Sequence, residues 1–86
     1  MTISFASKQL KISRAECLAF LGKYEEAKEI ANEILREDNI NADAMYIRGL
    51  CLYNKDNIDT ALIHFQQALR LAPDHLKAKE AYKVKY

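Results

Sequence analysis

At 86 residues the chain is one domain at most, with a core small enough to need close helix packing or a partner. Half of the residues are hydrophobic and 29% are charged, while two glycines and one proline leave little room for hairpins or long loops; this excludes a turn-rich β fold and leaves an all-α reading. Thirteen Lys and Arg against twelve Asp and Glu give no overall field to recruit nucleic acid or an anionic membrane.

The opening Met1-Thr2-Ile3-Ser4-Phe5-Ala6-Ser7-Lys8 has no basic segment followed by an apolar stretch of signal-peptide length. No apolar run is long enough to span a bilayer, so the chain reads as cytosolic or nuclear. In chain order, apolar spacing predicts helices over 6–21, 24–37, 42–55, 58–71 and 75–85. The second helix carries the stripe Tyr24, Ala27, Ala31, Ile34 and Leu35. The fourth carries Ile58, Ala61, Leu62, Phe65, Ala68 and Leu69, which lie on one face of an amphipathic helix. Asn41, Asn57 and Asp74 stand at the starts of the last three as N-cap types. Charge is segregated: Lys23 to Asp38 holds six acids against three bases, while the tail from His75 holds Lys77, Lys79, Lys83 and Lys85 against Glu80.

The helices repeat. A shift of 34 residues superposes Arg14 on Arg48, Cys17 on Cys51, Ala27 on Ala61, Leu35 on Leu69 and Arg36 on Arg70. It also brings Ala15 to Gly49, Leu18 to Leu52 and Tyr24 to Ile58. That is the length of the tetratricopeptide pattern, and the second unit supplies its slots with Met45, Gly49, Leu52, Ala61, Phe65 and Pro73, with Arg48 where leucine is usual. The first unit is degenerate: it keeps Ala15, Leu18, Gly22, Tyr24 and Ala27 but has Lys11 in the bulky slot, Ala31 for Phe and Asn39 for Pro. The expected fold is therefore an all-α tetratricopeptide repeat with two helix-turn-helix units, at 8–41 and 42–75. A segment 1–7 precedes them, and a solvating helix over 76–86 follows. In it Leu76, Ala78, Tyr82 and Val84 would pack back while the lysines face water. Phe5, Leu10 and Leu21 have no such cover, so the first hairpin is a candidate edge for homo-oligomer formation.

Several residues invite a chemical role and are better read as structural. Arg14 and Arg48 lie within apolar rows, where the stems fill core space and the heads reach an acid or helix-end carbonyls. Cys17 and Cys51 occupy one slot of successive units with no cysteine or histidine at ligand spacing, so both are expected to be small core thiols, with no metal and no disulfide. His64 and His75 read as surface or capping residues. Glu25, Glu26, Glu29 and Glu33, mixed with Lys28 and Arg36, solvate a helix face through pairs three or four apart. No phosphate loop or nucleophile elbow occurs; the expectation is no enzyme and no cofactor.

The candidate binding surface is the inner face of each unit's first helix, which lines the groove of a right-handed stack. In the first unit it comprises Gln9, Ile12, Ser13, Glu16 and Phe20, and in the second Asp43, Tyr46, Ile47, Leu50, Tyr53 and Asn54. Exposed together, the apolar members would mark a site for a protein or peptide. Alternatively, Tyr46 and Leu50 pack between adjacent repeats.

The segment Phe5-Ala6-Ser7-Lys8-Gln9-Leu10-Lys11-Ile12-Ser13-Arg14-Ala15-Glu16-Cys17-Leu18-Ala19 resembles the middle repeats of the tetratricopeptide co-chaperones that carry a C-terminal J domain. So do Asn41-Ala42-Asp43-Ala44, Arg48-Gly49-Leu50-Cys51-Leu52-Tyr53, Gln67-Ala68-Leu69-Arg70 and Ala72-Pro73-Asp74-His75. The resemblance implies a piece of a longer array, handling heat-shock chaperones in the cytosol. No His-Pro-Asp signature is present, so stimulation of a chaperone ATPase is not expected of this chain. Many co-chaperone repeats grip an acidic chaperone tail with groove Lys, Asn and Arg; here those slots hold Ile12, Glu16 and Ile47, and Lys77 is followed by Ala81.

Overall fold

Five helices follow one another in the computed structural model, which describes residues 5–53 and 57–83: α1 (Phe5–Phe20), α2 (Tyr24–Glu37), α3 (Ala42–Tyr53), α4 (Ile58–Leu71) and α5 (Leu76–Lys83). No strand occurs among the described residues. The bounds of α2 and α4 match the expected ranges, whereas α1 begins and ends one residue early and α5 begins at Leu76 rather than His75. The expected last residues of α3 and α5, with Asn54 and Val84, lie outside the described residues, as does the side chain of Phe5.

The 34-residue period is also written in the hydrogen bonds that stop and start the helices. After α1 the Lys23 N–H donates to the Leu18 carbonyl at 2.8 Å and the Gly22 N–H to Ala19 at 3.1 Å, the paired closure in which glycine takes the left-handed position, here at φ 84°. The equivalent bond after α3 runs from Asn57 to Leu52 at 3.0 Å. Asp38 donates to Ile34 and Ala72 to Ala68, both at 2.8 Å, ending α2 and α4 alike. At the start of α3 the Asn41 side chain accepts the Ala44 N–H at 2.9 Å. At the start of α5 the same office falls to His75, whose Nδ1 accepts the Ala78 N–H at 3.1 Å, and not to Asp74 as the residue type suggested. Asn57 stands at the start of α4, but its side chain makes no capping bond.

Small residues set the packing. Ala15, Ala27, Ala31, Ala44, Ala61, Ala68 and Ala78 are fully buried, so the helix backbones cross at short range, and Phe65, Ile34 and Ile47 fill the spaces between them. α3 and α4 approach closely, since a Cβ added at Gly49 would sit 2.5 Å from the Phe65 ring. The first hairpin has no aromatic there. Instead Lys8 of α1 reaches Asp38 at 3.2 Å, and Lys11, in the slot for a bulky residue, pairs with Glu33 of α2.

The two ends of the stack differ from its middle, and two expectations fail for that reason. Cys51 is buried, but Cys17 is exposed. Arg48 is half-buried, but Arg14 is exposed and does not pack its stem in the core. Each pair shares a slot, yet only the second unit's member is shielded from solvent. Leu10 and Leu21 on the same edge are each 73% exposed. In α5, Ala78 is buried and Tyr82 half-buried, but Leu76 is 68% exposed instead of packing back.

Phe65→Ala should remove about 3–5 kcal/mol, most of the stability of so small a domain. Gly49→Ala should remove about 1–3 kcal/mol by forcing the buried ring aside. Urea denaturation followed by helical circular dichroism measures both; an unchanged midpoint for either would show that the α3–α4 contact is looser than described.

Candidate functional site

The first helix of each unit supplies the inner face: α1 packs against α3, and Glu16 of α1 reaches Lys77 of α5 at 2.9 Å. Of the predicted surface residues, Gln9, Ser13 and Phe20 are exposed, Phe20 at 68%. Glu16, Asp43, Leu50 and Tyr53 are half-buried. Ile12, Tyr46 and Ile47 belong to the core, Ile47 with no exposed area, because adjacent inner helices pack directly on each other. These three are therefore packing residues between repeats rather than open groove wall. Asn54 lies outside the described residues.

Tyr46 is the hub of this face. Its ring lies tilted against Phe65 at 6.0 Å between centroids and against His75 at 5.3 Å. Burial, and after it the Glu16 carboxylate, push its phenol up to about 12. His75 joins three elements of the site: its Nε2 lies 2.6 Å from an Asp43 carboxylate oxygen, its ring meets Tyr46, and its Nδ1 caps α5. Since Nδ1 accepts the Ala78 N–H, the ring proton belongs on Nε2, from which it is donated to Asp43. The residue type had suggested a cap or surface position; its link to α3 depends on a pairing 32 residues apart that no local motif announces.

Two clefts open beside this cluster. One of about 410 Å³ is lined by Tyr46, Leu76, Lys77, Glu80 and Ala81, and one of about 290 Å³ by Asp43, His75, Leu76 and Lys77. Lys77, the sole Lys or Arg on their walls, is held by Glu16. In the first hairpin, the Asn41 amide and then the Lys8 ammonium hold Asp38 below the usual carboxylate range. The bond and charge of Lys11 do the same for Glu33. These pairs are half-buried and keep contact with solvent, so they contribute orientation more than stability. Among the described residues no three His, Cys, Asp or Glu converge on a metal-sized site, and no helix is long and apolar enough to cross a membrane.

Residues 14–75 match the tetratricopeptide repeat family. The chain belongs to that family. It is also similar to the human DnaJ homolog subfamily C member 7, with 59% identity over 73 residues that cover 85% of this chain and 15% of the human protein. The Dictyostelium discoideum homolog of that protein is 37% identical over 75 residues, covering 87% of this chain and 14% of its own. The Schizosaccharomyces pombe homolog is 34% identical over 70 residues, covering 81% and 15%. The chain thus spans about one-seventh of the length of the curated relatives it matches. No solved structure gives a significant match. The relatives bear out the resemblance to tetratricopeptide co-chaperones, and the repeat match bears out the helical-repeat fold.

In this tetratricopeptide unit the Tyr46 phenol is raised in the folded state relative to its ordinary value near 10. Its contribution to stability is whole below pH 10 and is lost as pH rises through about 12, since the unfolded chain then ionises first. Tyr46→Phe should fold and show a shallower alkaline loss of stability between those limits than the parent chain. Equal slopes for the two proteins would show that Tyr46 is not shielded from water.

Proposed function

We propose that this chain is a protein-interaction module of a chaperone-associated tetratricopeptide protein, cytosolic or nuclear, with repeat units at 8–41 and 42–75 and a solvating helix from residue 76. The observation that carries this reading is the stack itself: two hairpins leave an inner face on which Phe20 stands exposed and Leu50 and Tyr53 half-exposed. Repeat stacks use such extended faces for binding, and the similarity to a DnaJ subfamily C co-chaperone makes heat-shock chaperones the first partners to test. The partner would meet Leu50, Tyr53 and Phe20 through apolar side chains, with Tyr46 as their backing.

An acidic tail is a poor ligand for this face. Glu16, Asp43 and Glu80 border it, and Lys77 is already engaged by Glu16, so the carboxylates of a bound tail would find no free partner. A second reading, a spacer that only joins flanking repeats, draws support from the burial of Ile12, Tyr46 and Ile47 between the inner helices.

Calorimetry with purified heat-shock chaperones separates the two. The module reading expects binding that weakens at least about tenfold in Phe20→Ala with Tyr53→Ala, and a free acidic-tail peptide weaker than about 1 mM. Low-micromolar binding of that peptide, abolished by neutralising its terminal carboxylate, would overturn the apolar assignment; no binding of any chaperone would favour the spacer.

A further inference from the structure

The clefts of about 410 and 290 Å³ open where α3 meets α5, between successive first helices, and so on the inner face. They share Leu76 and Lys77 and form one trough, with Tyr46 and Ala81 as apolar wall in one half and Asp43 in the other. The charges on it do not cancel. The Lys77 Nζ lies 2.9 Å from both carboxylate oxygens of Glu16, so that pair is neutral within the chain. Asp43 accepts the Nε2–H of His75, whose Nδ1 accepts from Ala78, and a ring holding one proton brings no positive charge. Among the described residues no ion pair within the chain engages Glu80. Asp43 and Glu80 therefore keep their negative charge. The Tyr46 phenol is pushed up first by burial and then by the Glu16 carboxylate, so a negative field reaches the apolar wall as well.

An apolar wall beside uncancelled carboxylates fits a side chain that is itself apolar along its stem and cationic at its tip. A bare cation would leave Tyr46 and Ala81 uncovered, a purely apolar group would bury Glu80 without a partner, and an acidic group would meet like charge. Arginine meets both demands. Its stem can lie along ring and methyl surface while its guanidinium fork gives a carboxylate two parallel hydrogen bonds. Lys79 and Lys83 do not supply that cation from within the chain; they lie on a separate cleft beside Leu69, whose wall Glu80 shares.

We propose that the inner face at the α3–α5 junction takes a basic, apolar peptide segment of a partner protein, an arginine stem lying along Tyr46 and Ala81 with its guanidinium on Glu80. This rests on the reading of the inner face as a binding surface and adds the charge of its occupant. Glu80 is then the residue that fixes the sign of the ligand. It is exposed on α5, outside the core, so its charge can be removed without disturbing the packing.

Calorimetry of the 86-residue chain with matched blocked peptides tests it, leucine alternating with arginine, with glutamine or with glutamate. The arginine peptide should bind at least about tenfold more tightly than the glutamine peptide, the margin of one charge-assisted pair, and should lose that margin as salt is raised. The glutamate peptide should bind most weakly. Glu80→Gln should weaken the arginine peptide about tenfold and leave the glutamine peptide unchanged. Glu29→Gln, the same loss of charge at an exposed position on α2, should change neither. Equal affinities for the arginine and glutamine peptides, a preference for the glutamate peptide, no effect of Glu80→Gln, or an equal effect of Glu29→Gln would each overturn the proposal. Chaperone binding that persists beside such a result would leave the module reading standing. Arginine-peptide binding with no chaperone binding would uphold this site and remove the chaperones as its partners.

Discussion

The approach of α3 to α4 at Gly49 and Phe65 is the constraint on which the rest of this molecule depends. With no side chain at position 49, the aromatic ring of α4 enters the hairpin, becomes fully buried, and brings Ala61 and Ala68 against the neighbouring backbone. That in turn places Tyr46 of α3 beside Phe65, and Tyr46 provides the ring against which His75 settles. His75 then caps α5 and ties it to Asp43, so the position of the last helix is inherited, through two aromatic contacts, from one glycine. The first hairpin stacks on this unit but lacks its aromatic, and it draws its helices together with Lys8–Asp38 and Lys11–Glu33 instead. Half-buried ion pairs that keep solvent contact are weak substitutes for a buried ring.

Much of this was legible in the residues, for reasons that are local. The apolar stripes of α2 and α4 recur at helical spacing, and both helices begin where those stripes begin and run two residues past their last members. Gly49 could be read as a point of close approach because the pattern needs a small residue opposite a large one, and the geometry bears this out. Asn41 could be read as a cap because its side chain acts on its own helix, three residues on.

What escaped the sequence depends on neighbours far along the chain. Cys17 and Cys51 are equivalent by period, yet Cys51 is buried and Cys17 is exposed. Ile12 and Ile47 lie off the stripe that packs within a hairpin, and only the stacking of one inner helix on the next shows them to be core, whereas for Tyr46 such packing is one of the two readings that its position allows. His75 and Lys77 find Asp43 and Glu16 across 32 and 61 residues, so their partners follow from the superhelical path of the stack and not from spacing. The consequence for the inner face is a narrower one than the residue pattern suggested: less apolar wall, and a cation already neutralised from within the chain.

If the second hairpin organises the stack, stability must be graded along the chain. Amide hydrogen exchange resolves this residue by residue, because amides in the most stable cooperative unit open only with global unfolding. The account predicts the slowest exchange in α3 and α4, around Ile47, Cys51, Ala61 and Phe65, with faster exchange in α1 and α2. Uniform protection across all five helices, or slowest exchange in α1 and α2, would contradict it.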